Sequence, residues 1–303
     1  MSDATPRIEL PAGWIEGVYG ATGASPSVLP LRIFKGIPYA SPTDGDKRWL
    51  APQPVTPWTG VRLCDQFGAT AVQANLLGIP GYAGDFDCLN LNVWCPQGDG
   101  PWPVMVWIPG GGFMRGGTSD ALYDGGAIAS AGVVFVSINY RVGVDGFMHF
   151  EDAAPNRGLQ DQLAALKWVQ KNIAAFGGDP KKITLAGESA GSIAVSMQMS
   201  SPMSRGRIAG AIGESGAGIT PTMAPMPLAD AEKMGVDFLK KAGVQSIKAF
   251  RAMATREVYE IFDESKLFGF PIVIDGYFLP KTIPQIFAAK EQAQVPLLLG
   301  WNS

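Results

Sequence analysis

The chain has 303 residues, of which 47% are hydrophobic and 17% charged, so it can bury a sizeable core and is not a disordered polymer. A formal net charge of −3 excludes a global basic field for nucleic acid or an anionic membrane surface. The start, Met1-Ser2-Asp3-Ala4-Thr5-Pro6, has no basic stretch leading into an apolar one, and no apolar run approaches the ~18 residues of a membrane span. The expected location is therefore cytoplasmic, with no membrane partner.

In chain order, residues 7–10, 17–19 and 31–34 are expected as short strands separated by Gly and Pro. Residues 51–58 form a proline-rich surface segment flanked by two anchors, Trp49 and Trp58. Apolar runs at 89–94, 104–108 and 133–138 predict buried strands. Over 159–176 the spacing of Leu163, Leu166, Val169 and Ile173 predicts a helix with one apolar face. Gly177-Gly178 ends it and Asp179-Pro180 turns the chain. Strand 183–186 follows, then a helix, a strand at 209–212, and a helix over 228–242 stopped by Gly243. Further helices are expected at 246–253 and 257–263, and extended runs at 271–274 and 295–299.

This alternation predicts an α/β fold with a mainly parallel central sheet covered by helices on both faces. No repeat or linker divides the chain, so residues 1–303 are expected as one domain. The Met-rich helical stretch 221–270 is expected to cap its site, and Leu267, Phe268 and Phe270 in it fit either a greasy pocket or ordinary core. Three cysteines, Cys64, Cys88 and Cys95, are too few for a disulfide scaffold and lack the partners of a zinc site. They are expected as reduced thiols, with a Cys64–Cys88 bridge as the alternative. No cofactor or metal is expected.

The most informative stretch is Leu185-Ala186-Gly187-Glu188-Ser189-Ala190-Gly191-Ser192. It places Gly-x-Ser-x-Gly between a strand-like segment and a helix-forming one. A nucleophilic serine needs that sharp turn to expose its hydroxyl, and the flanking glycines leave room for strand and helix to approach. The hydroxyl then lies at a helix N-terminus, whose free N–H groups favour a developing oxyanion. A second match, Gly213-Glu214-Ser215-Gly216-Ala217, is broken at Ala217. Ser215 is expected to support the site by a hydrogen bond rather than attack.

Residues 176–191, from Phe176-Gly177-Gly178-Asp179-Pro180 to Gly187-Glu188-Ser189-Ala190-Gly191, resemble the serine signature of type-B carboxylesterases, the para-nitrobenzyl-esterase and cholinesterase-like α/β-hydrolases. Further pieces agree in order: Phe34-Lys35-Gly36-Ile37-Pro38-Tyr39-Ala40, Asp87-Cys88-Leu89-Asn90-Leu91-Asn92-Val93, Asn139-Tyr140-Arg141-Val142-Gly143 and Asn156-Arg157-Gly158-Leu159-Gln160-Asp161-Gln162. The resemblance implies an α/β-hydrolase fold, C-terminally incomplete, and hydrolysis of a small carboxylic ester through an acyl-enzyme on Ser189. It also implies an oxyanion hole built from the N–H groups of Gly111, Gly112 and Ala190, with Glu188 and Ser215 supporting. The loop Pro109-Gly110-Gly111-Gly112-Phe113 carries Pro109 where the family has His or Tyr. A phosphate-binding turn is the other reading of these glycines, but the Gly-Lys-Ser/Thr ending is missing.

The triad then runs out. The order in this fold is Ser, acid, His. Gly300-Trp301-Asn302-Ser303 matches the approach to the acid, and the single histidine, His149, precedes the serine. His149 is expected as a loop or core residue, with a substitute general base as the lesser alternative. The chain alone is therefore expected to be a weak or inactive esterase. The competing functions are a catalytically silent cholinesterase-like binding protein and a non-functional fragment.

Overall fold

The computed structural model describes residues 5–20, 29–75, 82–219, 224–265 and 271–302. Among these residues, eight strands form the central sheet. In chain order they are β1 (Val18–Gly20), β2 (Leu31–Pro38), β3 (Asn90–Pro96), β4 (Trp102–Ile108), β5 (Val134–Ile138), β6 (Gly178–Glu188), β7 (Gly210–Glu214) and β8 (Leu297–Gly300). Their spatial order is β8-β7-β6-β4-β5-β3-β2-β1. The run β8-β7-β6-β4-β5 is parallel, and β3, β2 and β1 add antiparallel. The parallel run explains why Val134–Ile138 is apolar without alternation: all five residues are buried.

Helix Arg157–Asn172 continues as a 3-10 turn through Phe176, and Leu159, Leu163, Leu166, Val169 and Ile173 all face the core. Helix Ala190–Ser200 is buried on every side, as its run of Ala, Ile, Val, Met and Ser permits. The predicted turn at Asp179-Pro180 is instead a bulge inside β6, whose pairing with β4 shifts register between Gly178 and Ile183. A bulge lets a proline sit within a strand without costing a ladder bond. Two short strands, Gly13–Glu16 and Val61–Leu63, escape the sequence reading and form a small sheet with Arg7–Leu10.

Between residues 224 and 265 the chain is helical as expected, with helices Leu228–Lys241, Ile247–Arg251 and Thr255–Ser265. Phe250 stacks on the anchor Trp49 at 4.7 Å, and the Tyr259 hydroxyl donates to the Val72 carbonyl at 2.8 Å. Leu267, Phe268 and Phe270 lie outside the described residues. All three cysteines are buried and free, so the Cys64–Cys88 bridge is not formed. Burial pushes the Cys64 and Cys95 thiols up to about 11, which keeps them protonated and unreactive.

Strand β8 ends the sheet with an apolar outer surface. Leu298 is 65% exposed and Trp301 82%. An open apolar edge is a template for pairing with another chain. The purified chain is expected to elute from gel filtration above its monomer size, with the excess falling on dilution. Leu298→Lys with Trp301→Lys should return it to monomer. A wild-type chain that stays monomeric at its highest attainable concentration would refute this.

Candidate active site

Ser189 follows β6 directly and caps helix Ala190–Ser200 with φ 56° and ψ −121°. A non-glycine residue at positive φ is strained and persists only where its surroundings over-determine it. Here they do. The Ser189 N–H donates to the Glu214 carbonyl at the end of β7 (2.8 Å), and the Ser189 carbonyl accepts from Ile193 N–H (3.0 Å). The two signature glycines are required sterically. A Cβ on Gly191 would lie 2.0 Å from the Ile108 carbonyl oxygen, and one on Gly187 would lie 2.6 Å from the Gly191 backbone.

The glycine-rich loop follows β4 and lies against this turn. A Cβ on Gly110 would meet the Ser189 Cβ at 3.3 Å and a Glu188 carboxylate oxygen at 3.1 Å. Gly111 and Gly112 take φ values of 120° and 65°. The Gly111 carbonyl accepts from Met114 and Arg115 N–H, both at 3.1 Å, which folds the loop back on itself. Pro109, the departure from the family pattern, leaves a carbonyl that accepts the Tyr140 hydroxyl at 2.8 Å.

Of the six sequence-predicted residues, Glu188, Ser189 and Ala190 form one continuous turn, and Gly111 and Gly112 sit on the adjoining loop. Ser215 is beside the turn at φ 57°, and its backbone N–H donates to the Gly300 carbonyl at 2.7 Å. The loop after β7 also accepts the Ser192 hydroxyl at the Gly216 carbonyl. An open cavity of about 520 Å³ adjoins the loop, lined among others by Gln73, Gly110, Gly111, Arg115, Asp120 and Tyr123. Gln73, Arg115 and Tyr123 escaped the sequence reading, because no local spacing marks them. Burial raises the Tyr123 hydroxyl above its usual range, and the nearby negative charges of Glu188 and Asp120 add to this.

His149 is a core residue, the first of its two readings. It is buried, and its Nε2 lies 2.9 Å from the Pro271 carbonyl and therefore carries the proton. Its Nδ1 has no partner among the described residues. Burial, with the positive charge of Arg157 behind it, lowers its pKa from 6.5 to about 3. A general base needs a pKa near the working pH; this ring is too weak. The folded-state value lies below the unfolded one, so the unfolded chain takes up the proton first. The stability contributed by the neutral ring is complete above about pH 6.5 and is lost as pH falls toward 3. At pH 5 the loss is about 2 kcal/mol. Urea midpoints at pH 7.5 and pH 5 should therefore differ more in the wild type than in His149→Gln. Equal differences would sink this assignment.

Among the described residues no cluster of His, Cys, Asp and Glu is placed to hold a metal ion, and no helix is long and apolar enough to cross a membrane.

The model of the carboxylesterase family matches residues 4–303. The chain is 34% identical to human carboxylesterase 5A over 98% of its own length and 54% of that protein's. To fumonisin B1 esterase of Sphingopyxis macrogoltabida it is 35% identical, over 96% of its own length and 55% of the relative's. A solved PNB esterase superposes with a TM-score of 0.88 at 32% identity, covering 99% of this chain and 64% of that one. The chain thus spans about half the length of these curated relatives. The strand order, the serine turn and this match agree that the chain has the α/β-hydrolase fold and belongs to the carboxylesterase family.

Proposed function

We propose that the chain carries the nucleophile and oxyanion half of a serine carboxylesterase acting on small carboxylic esters. The observation that carries this reading is Ser189, held at positive φ between β6 and a helix with a glycine loop packed against it. The Ser189 hydroxyl adds to the ester carbonyl and loses its proton to a base. The N–H groups of Gly111, Gly112 and Ala190 hold the oxyanion. The tetrahedral adduct collapses, the alcohol leaves with a proton, and the acyl group stays on Ser189 Oγ. Water then repeats the addition and releases the acid. Donors of this kind contribute ~3–4 kcal/mol each at the transition state. Glu188 and the loop bearing Ser215 support the turn. Residues 1–303 act as one domain, and the helical stretch within 221–270 serves as a cap.

No histidine follows Ser189 in this sequence, and His149 is occupied elsewhere. The chain alone should therefore hydrolyse p-nitrophenyl butyrate only ~10³–10⁴-fold faster than water does, the residue left by an oxyanion hole and binding without a complete triad. The test is steady-state turnover by the purified, mass-verified chain beside its His149→Ala variant. Slow turnover equal in both supports the reading. Ordinary enzyme rates that vanish with His149→Ala would overturn it.

A further inference from the structure

Gln73 opens the short strand Gln73–Ala74, far in sequence from the glycine loop. Its carboxamide is fully used. Oε1 accepts from the Gly116 N–H at 2.8 Å, and Nε2 donates to the Gly116 carbonyl at 3.2 Å and to the Ala71 carbonyl at 2.9 Å. A flipped amide would set N–H against N–H and oxygen against two carbonyls, so this orientation is the one the network permits. The side chain thus pairs with Gly116 as a neighbouring β-strand would.

Gly116 lies on the returning leg of the loop, just past the turn closed by the Gly111 carbonyl. It has φ 116°, and a Cβ on it would lie 2.4 Å from the Gly110 carbonyl oxygen. A Cβ on Gly111 would lie 2.0 Å from the Arg115 carbonyl oxygen. The returning leg therefore packs directly on the outgoing leg that bears Gly111 and Gly112. Gln73's own segment is fixed from outside the loop. The Tyr259 hydroxyl holds the Val72 carbonyl, and Asp85 N–H holds the Thr70 carbonyl at 2.9 Å.

We propose that Gln73 is a positioning residue for ester hydrolysis: by pairing with Gly116 it sets the glycine loop, and with it the Gly111 and Gly112 amides, against Ser189. The inference rests on the reading of those amides as oxyanion donors. Such donors act through placement, so a shift of a fraction of an ångström lowers the rate of acylation with little effect on binding.

The experiment compares the wild-type chain with Gln73→Ala and Gln73→Glu. Glutamate keeps the size and the acceptor but turns an anionic oxygen toward the Gly116 and Ala71 carbonyls. Two readouts are taken on folded protein. The first is amide hydrogen exchange of the peptide spanning 110–117. The second is reaction of Ser189 with a fluorophosphonate in the presence of added imidazole, resolved by mass spectrometry into a limiting rate and a half-saturating concentration. In both variants exchange should quicken ~5-fold or more. The limiting rate should fall ~10-fold or more while half-saturation stays within ~3-fold. Unchanged exchange, or an unchanged limiting rate on a reacting Ser189, overturns the role of Gln73. Should Ser189 fail to react even in the wild-type chain, the esterase reading fails instead, and exchange at 110–117 alone decides whether Gln73 sets the loop.

Discussion

Ser189→Ala is expected to abolish covalent labelling by a fluorophosphonate, together with all of the imidazole-dependent hydrolysis of p-nitrophenyl butyrate in excess of that given by imidazole in protein-free buffer. Alanine has the same Cβ as serine, so it tolerates the φ of 56° no worse. It keeps the backbone bonds to Glu214 and Ile193 and should melt with the wild type. What it loses is the oxygen that forms the bond. The protonated hydroxyl is a poor nucleophile without a base. An added imidazole can reach the half-buried turn beside the open cavity and take that proton. A positioned base contributes ~10²–10⁴-fold; a free one should recover ~10-fold or more of it in the wild type and none in Ser189→Ala, each taken over the rate of the same imidazole in protein-free buffer. The residual turnover without imidazole should stay within ~3-fold of the wild type, because members of a catalytic unit are strongly non-additive once one is missing. A covalent adduct that persists in Ser189→Ala would show that Ser189 is not the nucleophile. A ~10³-fold fall in imidazole-free turnover would show that a base of the chain already serves it.

This site was legible in the sequence to the extent that its constraints are local. Gly187 and Gly191 are forced by contacts within a few residues or with the adjacent strand end, so their spacing around Ser189 carries the geometry directly. The apolar run of β5 was legible for the same reason, since burial on both faces demands it. Helix Ile283–Ala288 was missed although Thr282 and Gln285 form a reciprocal capping box at its start; that signal was present and local. Gln73 and Tyr140 are different. Each meets the glycine loop from a segment remote in sequence, and neither periodicity nor turn chemistry encodes a partner 30 or more residues away. The same holds for His149. Its isolation in the sequence left two readings open, and only the Pro271 carbonyl and the Arg157 charge decide between them.

Asp161→Ala is expected to cost about 3–5 kcal/mol of folding stability, the range for breaking one partner of a buried ion pair. Asp161 is fully buried on helix Arg157–Asn172 and receives three bonds from Arg141: backbone N–H at 3.1 Å, Nε at 2.8 Å and Nη2 at 2.7 Å. The remaining Arg141 nitrogen donates to the Leu50 carbonyl at 2.8 Å. The pair ties the helix, the segment after β5 and the Trp49 region together. The surroundings cannot absorb a stranded guanidinium. Arg48 and Arg157 are buried nearby, and Asp145 is already engaged by Arg48 at 2.7 Å. Burial and the Arg141 charge already push Arg157 down to about 9. The urea midpoint should drop by about 1 M or more. Arg141→Met with Asp161→Leu should lose less than Asp161→Ala alone, because it leaves no unpaired charge. The damage should also reach the site. Around Arg141, Asn139 accepts the Thr118 N–H, Tyr140 holds the Pro109 carbonyl and Gly143 N–H holds the Phe113 carbonyl. Residues 109–118 are therefore pinned at three points by a segment whose register Asp161 fixes. Amide exchange at 110–117 should quicken in Asp161→Ala under conditions where the protein is still folded. A stability loss below about 1 kcal/mol would mean that the pair is dispensable to the fold. A full loss with unchanged exchange at 110–117 would mean that it stabilises the core without setting the loop.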